Sequence, residues 1–251
     1  MIEVTQSGNV AIFKMIHGKA NALDLEFCEA IAQRLEGLRT SSARAVVITG
    51  QGRIFSAGVD LVRLLAGGPE YVRAFLPVLG KAVEALFFFP KPLIAAINGH
   101  AIAGGCVLAC TADRRIMARG SGRVGVPELL VGVPFPFIAL ETMRLGTAPQ
   151  HFQEIMYGGS TFPPEDAMSR GLLDEIVEPQ ELMDRALAAA ESLAALVPDA
   201  FTLTKRLIRQ PVLKRLQEDG PALHPAIQDA WTSPVALATM RDYVSKTLKK
   251  N

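Results

Sequence analysis

The sequence predicts an α/β fold built on parallel strands, and three observations carry that reading. Short apolar strands alternate with helical stretches as far as about residue 178. Helices dominate after that point. The chain has 251 residues, 49% of them hydrophobic, enough for one sizeable α/β core or two small ones. Strands that alternate with helices pair in parallel, because a helical crossover returns the chain to the same end of the sheet.

The elements follow in order. IEVTQ and NVAIFKM, joined by Ser7–Gly8, read as a hairpin. Asp24 caps a helix to about Leu38, with Leu23, Phe27, Ile31 and Leu35 at four-residue spacing. ARAVVITG (43–50) is a buried strand, and QGRIFSAGVDL (51–61) is a glycine-punctuated loop leaving it. A helix covers about 70–88 and stops at Pro90 and Pro92. PLIAAING (92–99) is a second buried strand, AGGCVLACTA a helix start and DRRIMAR (113–119) a third strand. GRVGVPELLVG (122–132) reads as extended and kinked by Pro127. Short helices follow at 136–146, 150–158 and 164–170, then a strand at LLDEIVE (172–178). Further helices are expected at 181–197, 199–209 and 225–249.

Composition excludes several classes of function. Net charge is +1 and aromatic content 6%, so there is neither a basic footprint nor a stacking platform for nucleic acid. The segment 93–112 has the length of a membrane span, but Asn98, Gly99, His100 and Gly104–Gly105 interrupt it. It reads instead as strand, turn and helix start in a soluble core, with no membrane partner. MIEVTQSGNV lacks the apolar run of a signal peptide, and a cytoplasmic location is expected. Cys28, Cys106 and Cys110 lack paired spacing, which fits a reducing compartment. Cys106 and Cys110 read as small core residues. His17, His100, His151 and His224 lack ligand spacing, and no metal site is expected.

The chemistry-bearing candidates lie where two strands run into loops. VVITGQGRIFSAGVD and PLIAAINGHAIAGGC both leave a strand through glycines, at the strand ends where α/β proteins place ligands. Two backbone N–H groups aimed at one oxygen from such loops make an oxyanion hole. The competing reading is that these glycines only let helix and strand pack closely. Glu128 lies among Val124, Val126, Leu129, Leu130 and Val131. Buried there, it would have a raised pKa and serve as a proton shuttle. On an alternating strand it would instead face water.

At these residues the chain resembles the crotonase, or enoyl-CoA hydratase/isomerase, superfamily. The segments that carry the resemblance are FSAGVDL (55–61), KPLIAAINGHAIAGGCVLACTAD (91–113), VPELLVG (126–132) and FPPEDAMSRGLLDEIVEP (162–179). The resemblance implies a ClpP/crotonase-like spiral of ββα repeats with two sheets. It divides the chain into an acyl-CoA-binding core at 1–195 and a C-terminal helical trimerisation region at 196–251. It implies a homotrimer or dimer of trimers acting on acyl-CoA thioesters, with coenzyme A part of the substrate and no permanently bound cofactor. It makes the N–H groups of Val59 and Gly104 the oxyanion donors. Contacts to coenzyme A fall on Ala57, Gly58, Val59, Asp60 and Leu61, on Ala20 and Ala22 beside Asn21–Leu23, and on Tyr243 and Lys246 reaching from a neighbouring subunit.

One departure discriminates within the family. Hydratases of this type carry two glutamates, and the positions matching them here hold Val107 and Glu128. Adding water needs one group to activate it and another to deliver a proton, each worth about 10²–10⁴ in rate. Moving a double bond from the 3,4 to the 2,3 position needs one base, which takes a proton from C2 and returns it at C4. KANALDLEF, GGCVLAC, LLVGVPFPF and FPPEDA also look closer to the Δ3,Δ2-enoyl-CoA isomerase branch. The expected activity is that isomerisation, with Glu128 as the base. The alternatives are a hydratase or other crotonase-type lyase with His100 or Glu141 as replacement acid, and a CoA-ester-binding protein without catalysis.

Overall fold

The structure is a computed structural model that describes residues 1–247. The strands are β1 (Ile2–Ser7), β2 (Val10–Met15), β3 (Ala45–Thr49), β4 (Ile54–Ser56), β5 (Leu93–Ile97), β6 (His100–Ile102), β7 (Arg114–Ala118), β8 (Val124–Gly125), β9 (Thr161–Phe162) and β10 (Glu175–Val177). The first helices are α1 (Leu25–Arg39), α2 (Leu61–Phe87), α3 (Gly104–Cys110), α4 (Glu128–Val131), α5 (Phe137–Gly146), α6 (Phe152–Gly158) and α7 (Pro164–Ser169). Four more close the described chain: α8 (Leu182–Ala194), α9 (Pro198–Glu218), α10 (Gly220–Thr232) and α11 (Pro234–Thr247).

Six strands form one sheet in the order β1-β2-β3-β5-β7-β10. The β1–β2 hairpin is antiparallel and every other neighbour pair is parallel, as the alternation predicts. β3 and β5 are buried along their whole length because both faces are covered. Val46, Ile48, Leu93, Ala95 and Ile97 face the main core. Their neighbours Ala45, Val47, Ile94 and Ala96 face the opposite side, where Leu182, Ala186 and Ala190 of α8 cover them.

A second sheet, β4-β6-β8-β9, lies outside the expected strands except for β8, which falls in the 122–132 stretch read as extended. Two- and three-residue strands carry no hydrophobic period, so only the family resemblance pointed to this sheet. It places the ends of β4 and β6 side by side, with β8 against β6.

Several boundaries differ from expectation. α2 starts at Leu61 instead of about 70, because Asp60 caps it by accepting from Arg63 N at 2.9 Å. The expected helix is the part beyond a kink at Gly68 (φ 63°, ψ −161°), which Pro69 follows. The 122–132 stretch is not extended throughout: after β8 it turns at Pro127 into the single-turn α4, which Gly132 ends in the left-handed conformation. α9 runs to Glu218, through Pro211, where 199–209 was expected. Its buried Lys205 and Arg209 bond Asp113 at 2.6 and 2.8 Å, and Arg215 pairs with Glu141. These tertiary bonds hold the helix across the proline. The expected helix at 225–249 is two helices, split at Ser233, whose extended backbone precedes Pro234 and whose hydroxyl accepts from Ala236 N. Its last two positions, 248–249, lie outside the described residues. Among the described residues no single helix is long and apolar enough to cross a membrane.

Candidate active site

The site begins with a main-chain junction between distant segments. Ala57 N donates to Ala20 O at 3.0 Å, Leu23 N to Gly58 O at 2.7 Å and Asp60 N to Leu23 O at 2.9 Å. Leu23 and Val59 thus form a parallel bridge. In that pattern the N–H groups of Leu23 and Asp60 are used, and the N–H of Val59 points to the other side. Among the described residues it has no protein acceptor.

The second donor comes from the start of α3. Gly104 is its first residue, so its N–H has no partner within the helix. A Cβ on Gly104 would lie 3.9 Å from Val59 N, and one on Gly58 would lie 3.0 Å from Gly104 N. The two candidate oxyanion donors are therefore neighbours. Ala103, just before them, is held at φ 52°, ψ −129°, a conformation that costs an alanine about 1–3 kcal/mol. Its own N–H donates to Gly125 O at 2.8 Å, tying the strained turn to β8.

The adjacent glycines divide the work. A Cβ on Gly105 would sit 2.2 Å from Ser56 O, so this glycine lets α3 pack onto β4. A Cβ on Gly104 would crowd only the tip of Leu23, at 2.8 Å, with Gly58 Cα at an ordinary 3.6 Å. Close packing accounts for Gly105, while Gly104 lines the cleft.

These donors open into a cleft of about 710 Å³, part of it open to solvent. Ala57, Val59, Leu61, Gly104, Glu128 and Tyr243 all line it, as does Val107, which is 1% exposed. Glu128 is the only carboxylic acid among its lining residues. It is 8% exposed, and its Oε2 has no hydrogen-bond partner among the described residues. Burial among apolar groups pushes its pKa up from the ordinary 4.5 to about 8, against a smaller opposing bond from its own N–H. Glu128 sits on the first turn of α4 with its carboxyl inside, and not on an alternating strand facing water.

Other expected residues fall elsewhere. Gly58, Ala20, Ala22 and Asp60 flank the cleft without lining it, and Asp60 caps α2. Tyr243 lines the cleft of its own chain, where the resemblance had it reaching a neighbour's. Lys246 is exposed and outside the cleft. Glu141 is buried, bonded to Arg144 at 3.1 Å and paired with Arg215, so it is a structural anion away from the cleft. His100 belongs to β6 and does not reach the cleft either. Pattern reading missed Leu79, Gly80 and Val83 of α2, Ile138 and Ala139 of α5, and Trp231 of α10. Trp231 is the chain's single tryptophan and donates to Pro134 O at 2.8 Å. Nothing local marks these residues, since helical apolar positions look alike whether they face a core or a ligand. Among the described residues no group of His, Cys, Asp and Glu could hold a metal ion.

The sequence profile described as enoyl-CoA hydratase/isomerase matches residues 5–225. The chain is 29% identical over 219 residues to human enoyl-CoA delta isomerase 1, mitochondrial, covering 86% of this chain and 72% of the relative. It is 30% identical over 236 residues to a putative enoyl-CoA hydratase of Thermus thermophilus, covering 92% and 91%. The crystal structure of human mitochondrial Δ3-Δ2-enoyl-CoA isomerase superposes with a TM-score of 0.95 at 26% identity, over 100% of this chain and 99% of that one. An enoyl-CoA hydratase from Mycobacterium marinum superposes with a TM-score of 0.81 at 28% identity, over 90% and 99%. The fold is the expected crotonase-like α/β architecture with a C-terminal helical region.

Proposed function

The chain belongs to the enoyl-CoA hydratase/isomerase family, and from that premise we propose that it moves the double bond of a 3-enoyl-CoA to the trans-2 position with Glu128 as its one acid–base group. The observation that carries this reading is the single carboxyl in the cleft. Glu128 is alone there, and Val107 stands where the resemblance places a hydratase's other glutamate.

The steps use only groups of this chain. The thioester oxygen lies against the N–H groups of Val59 and Gly104. The Glu128 carboxylate takes a proton from C2. The electron pair of that C–H bond forms a dienolate, whose negative oxygen the two donors stabilise. The protonated Glu128 then gives its proton to C4, leaving the double bond at C2–C3 and the carboxylate restored. A pKa near 8 suits both halves, since the group must be basic enough to take the proton and acidic enough to return it.

The assay offers 3-enoyl-CoA and 2-enoyl-CoA to the wild type and to Glu128→Gln. Isomerisation of the first, little hydration of the second and loss of turnover in the variant are expected. Efficient hydration by the wild type would overturn the reading in favour of a hydratase, as the name of the Thermus thermophilus relative suggests. Thioester binding without turnover of either substrate would favour a binding protein.

The assembly proposed is a homotrimer or a dimer of trimers, with residues 196–251 as its helical contact region. Supporting it, α9 exposes Leu203, Leu207, Ile208 and Leu213, apolar residues that a partner surface would cover. Light scattering of the purified protein tests this. The three cysteines are unpaired and buried, which supports action in a reducing compartment such as the cytoplasm.

A further inference from the structure

We propose that Asn21, a buried residue that does not line the cleft, is a positioning residue for the oxyanion site: its side-chain amide holds the 55–60 loop so that the N–H of Val59 faces the thioester oxygen. This rests on reading Val59 and Gly104 as the oxyanion donors. The main chain of that loop is already committed around Val59. Ala57 N donates to Ala20 O at 3.0 Å, Gly58 N to Ser56 Oγ at 3.2 Å and Asp60 N to Leu23 O at 2.9 Å. Among the described residues the N–H of Val59 is left without a protein acceptor.

Asn21 stands at the centre of this stitching. Its Nδ2 donates to Phe55 O at 3.0 Å, and its Oδ1 accepts from His17 N at 2.7 Å. Its own carbonyl accepts from Ser56 Oγ at 2.8 Å, the same hydroxyl that receives Gly58 N. Asn21 is 3% exposed and Ser56 is fully buried, so a broken bond here strands a polar group in the interior. Residues 55–58 lead from the anchor directly to Val59. The helix that presents Gly104 is seated on Ser56 as well, through the bare Gly105, so both donors share one support.

Backbone conformation alone does not account for the residue type. Asn21 has φ 46°, in the left-handed region that asparagine tolerates and glycine adopts more readily. Glycine would satisfy the turn. What asparagine adds is one donor and one acceptor, which join the 17–21 turn to β4.

The test reads hydrogen bonding at the thioester directly. The infrared band of an isotope-labelled carbonyl in a bound saturated acyl-CoA falls in frequency as donation to its oxygen strengthens, whatever reaction follows. A lowered band is expected in the wild type. Asn21→Gly keeps the left-handed φ and removes the amide, and its band should move back toward the frequency of the free ligand. Turnover should fall about 10–100-fold while affinity for the saturated ligand changes by less than about threefold. Ser56→Ala should act in the same direction and carries the test if Asn21→Gly does not fold. Asp113→Asn, weakened far from the site, should keep the wild-type band. A wild-type band in folded Asn21→Gly and Ser56→Ala would overturn the inference. So would a loss of turnover matched by an equal loss of binding sites, which is what a merely structural role produces. A bound ligand with no lowered band in the wild type would instead remove the oxyanion reading and this inference with it.

Discussion

A side chain on Gly105 would begin 2.2 Å from the carbonyl oxygen of Ser56. The helix that presents Gly104 to the cleft is seated against β4 by that missing atom. Gly105→Ala should therefore cost several kcal/mol, since backbone must move on both sides. Gly104→Ala displaces only the tip of Leu23 and should leave the melting temperature within a few degrees. Its cost should appear in turnover, about 10–100-fold, as the new methyl and the displaced Leu23 tip crowd the space in front of the two N–H groups. Thermal melts beside kcat for the two variants check this; the opposite pattern would contradict the assignment.

Glu128 sets activity and stability against each other as pH changes. Its folded pKa, about 8, lies above the ordinary 4.5, so the folded state holds the proton more tightly. The stabilisation this brings is complete below about pH 4.5 and is lost as pH rises through 8. In the proposed reaction the base is active only as the carboxylate, so turnover should climb over the same interval and level off above 8. Glu128→Gln should flatten the stability profile between pH 5 and 8 and raise the melting temperature at pH 8. Each kcal/mol recovered corresponds to about 2–4 °C in a chain of this size. Denaturant titrations across pH, beside the rate profile, check both arms.

Val107→Glu places a second carboxyl in the same apolar cleft. At a position 1% exposed, the new acid should cost several kcal/mol and hold its proton near neutral pH. If one carboxyl is what separates the two reactions, hydration of 2-enoyl-CoA should rise at least tenfold while isomerisation falls. A folded variant with no gain in hydration would show that more than this residue divides the activities.

Asp113 latches α9 to the core through Lys205 and Arg209, each 6% exposed. Asp113→Asn leaves two cations buried without a counter-charge. The expected loss is about 3–5 kcal/mol by denaturant titration. The double variant Asp113→Asn with Lys205→Met should recover part of it, because one stranded charge is gone.

Much of this molecule is legible in its sequence because the signal is local or shared with a family. The apolar runs of β3 and β5 announce a sheet covered on both faces. Asp24 announces the start of α1, and its side chain accepts from Phe27 N as a cap should. FSAGVDL, AIAGGC and VPELLVG name the residues that later meet at the cleft. Val107 carries, by residue type alone, the expectation of one reaction over the other.

Tertiary structure decided the rest, because it turns on which distant groups share a space. Spacing cannot say that Gly105 serves packing while Gly104 faces the cleft; that depends on Ser56 behind one and open space before the other. It cannot place Glu128 inside, since the cleft it shares is lined by residues from α2, α5 and α10, far away in the chain.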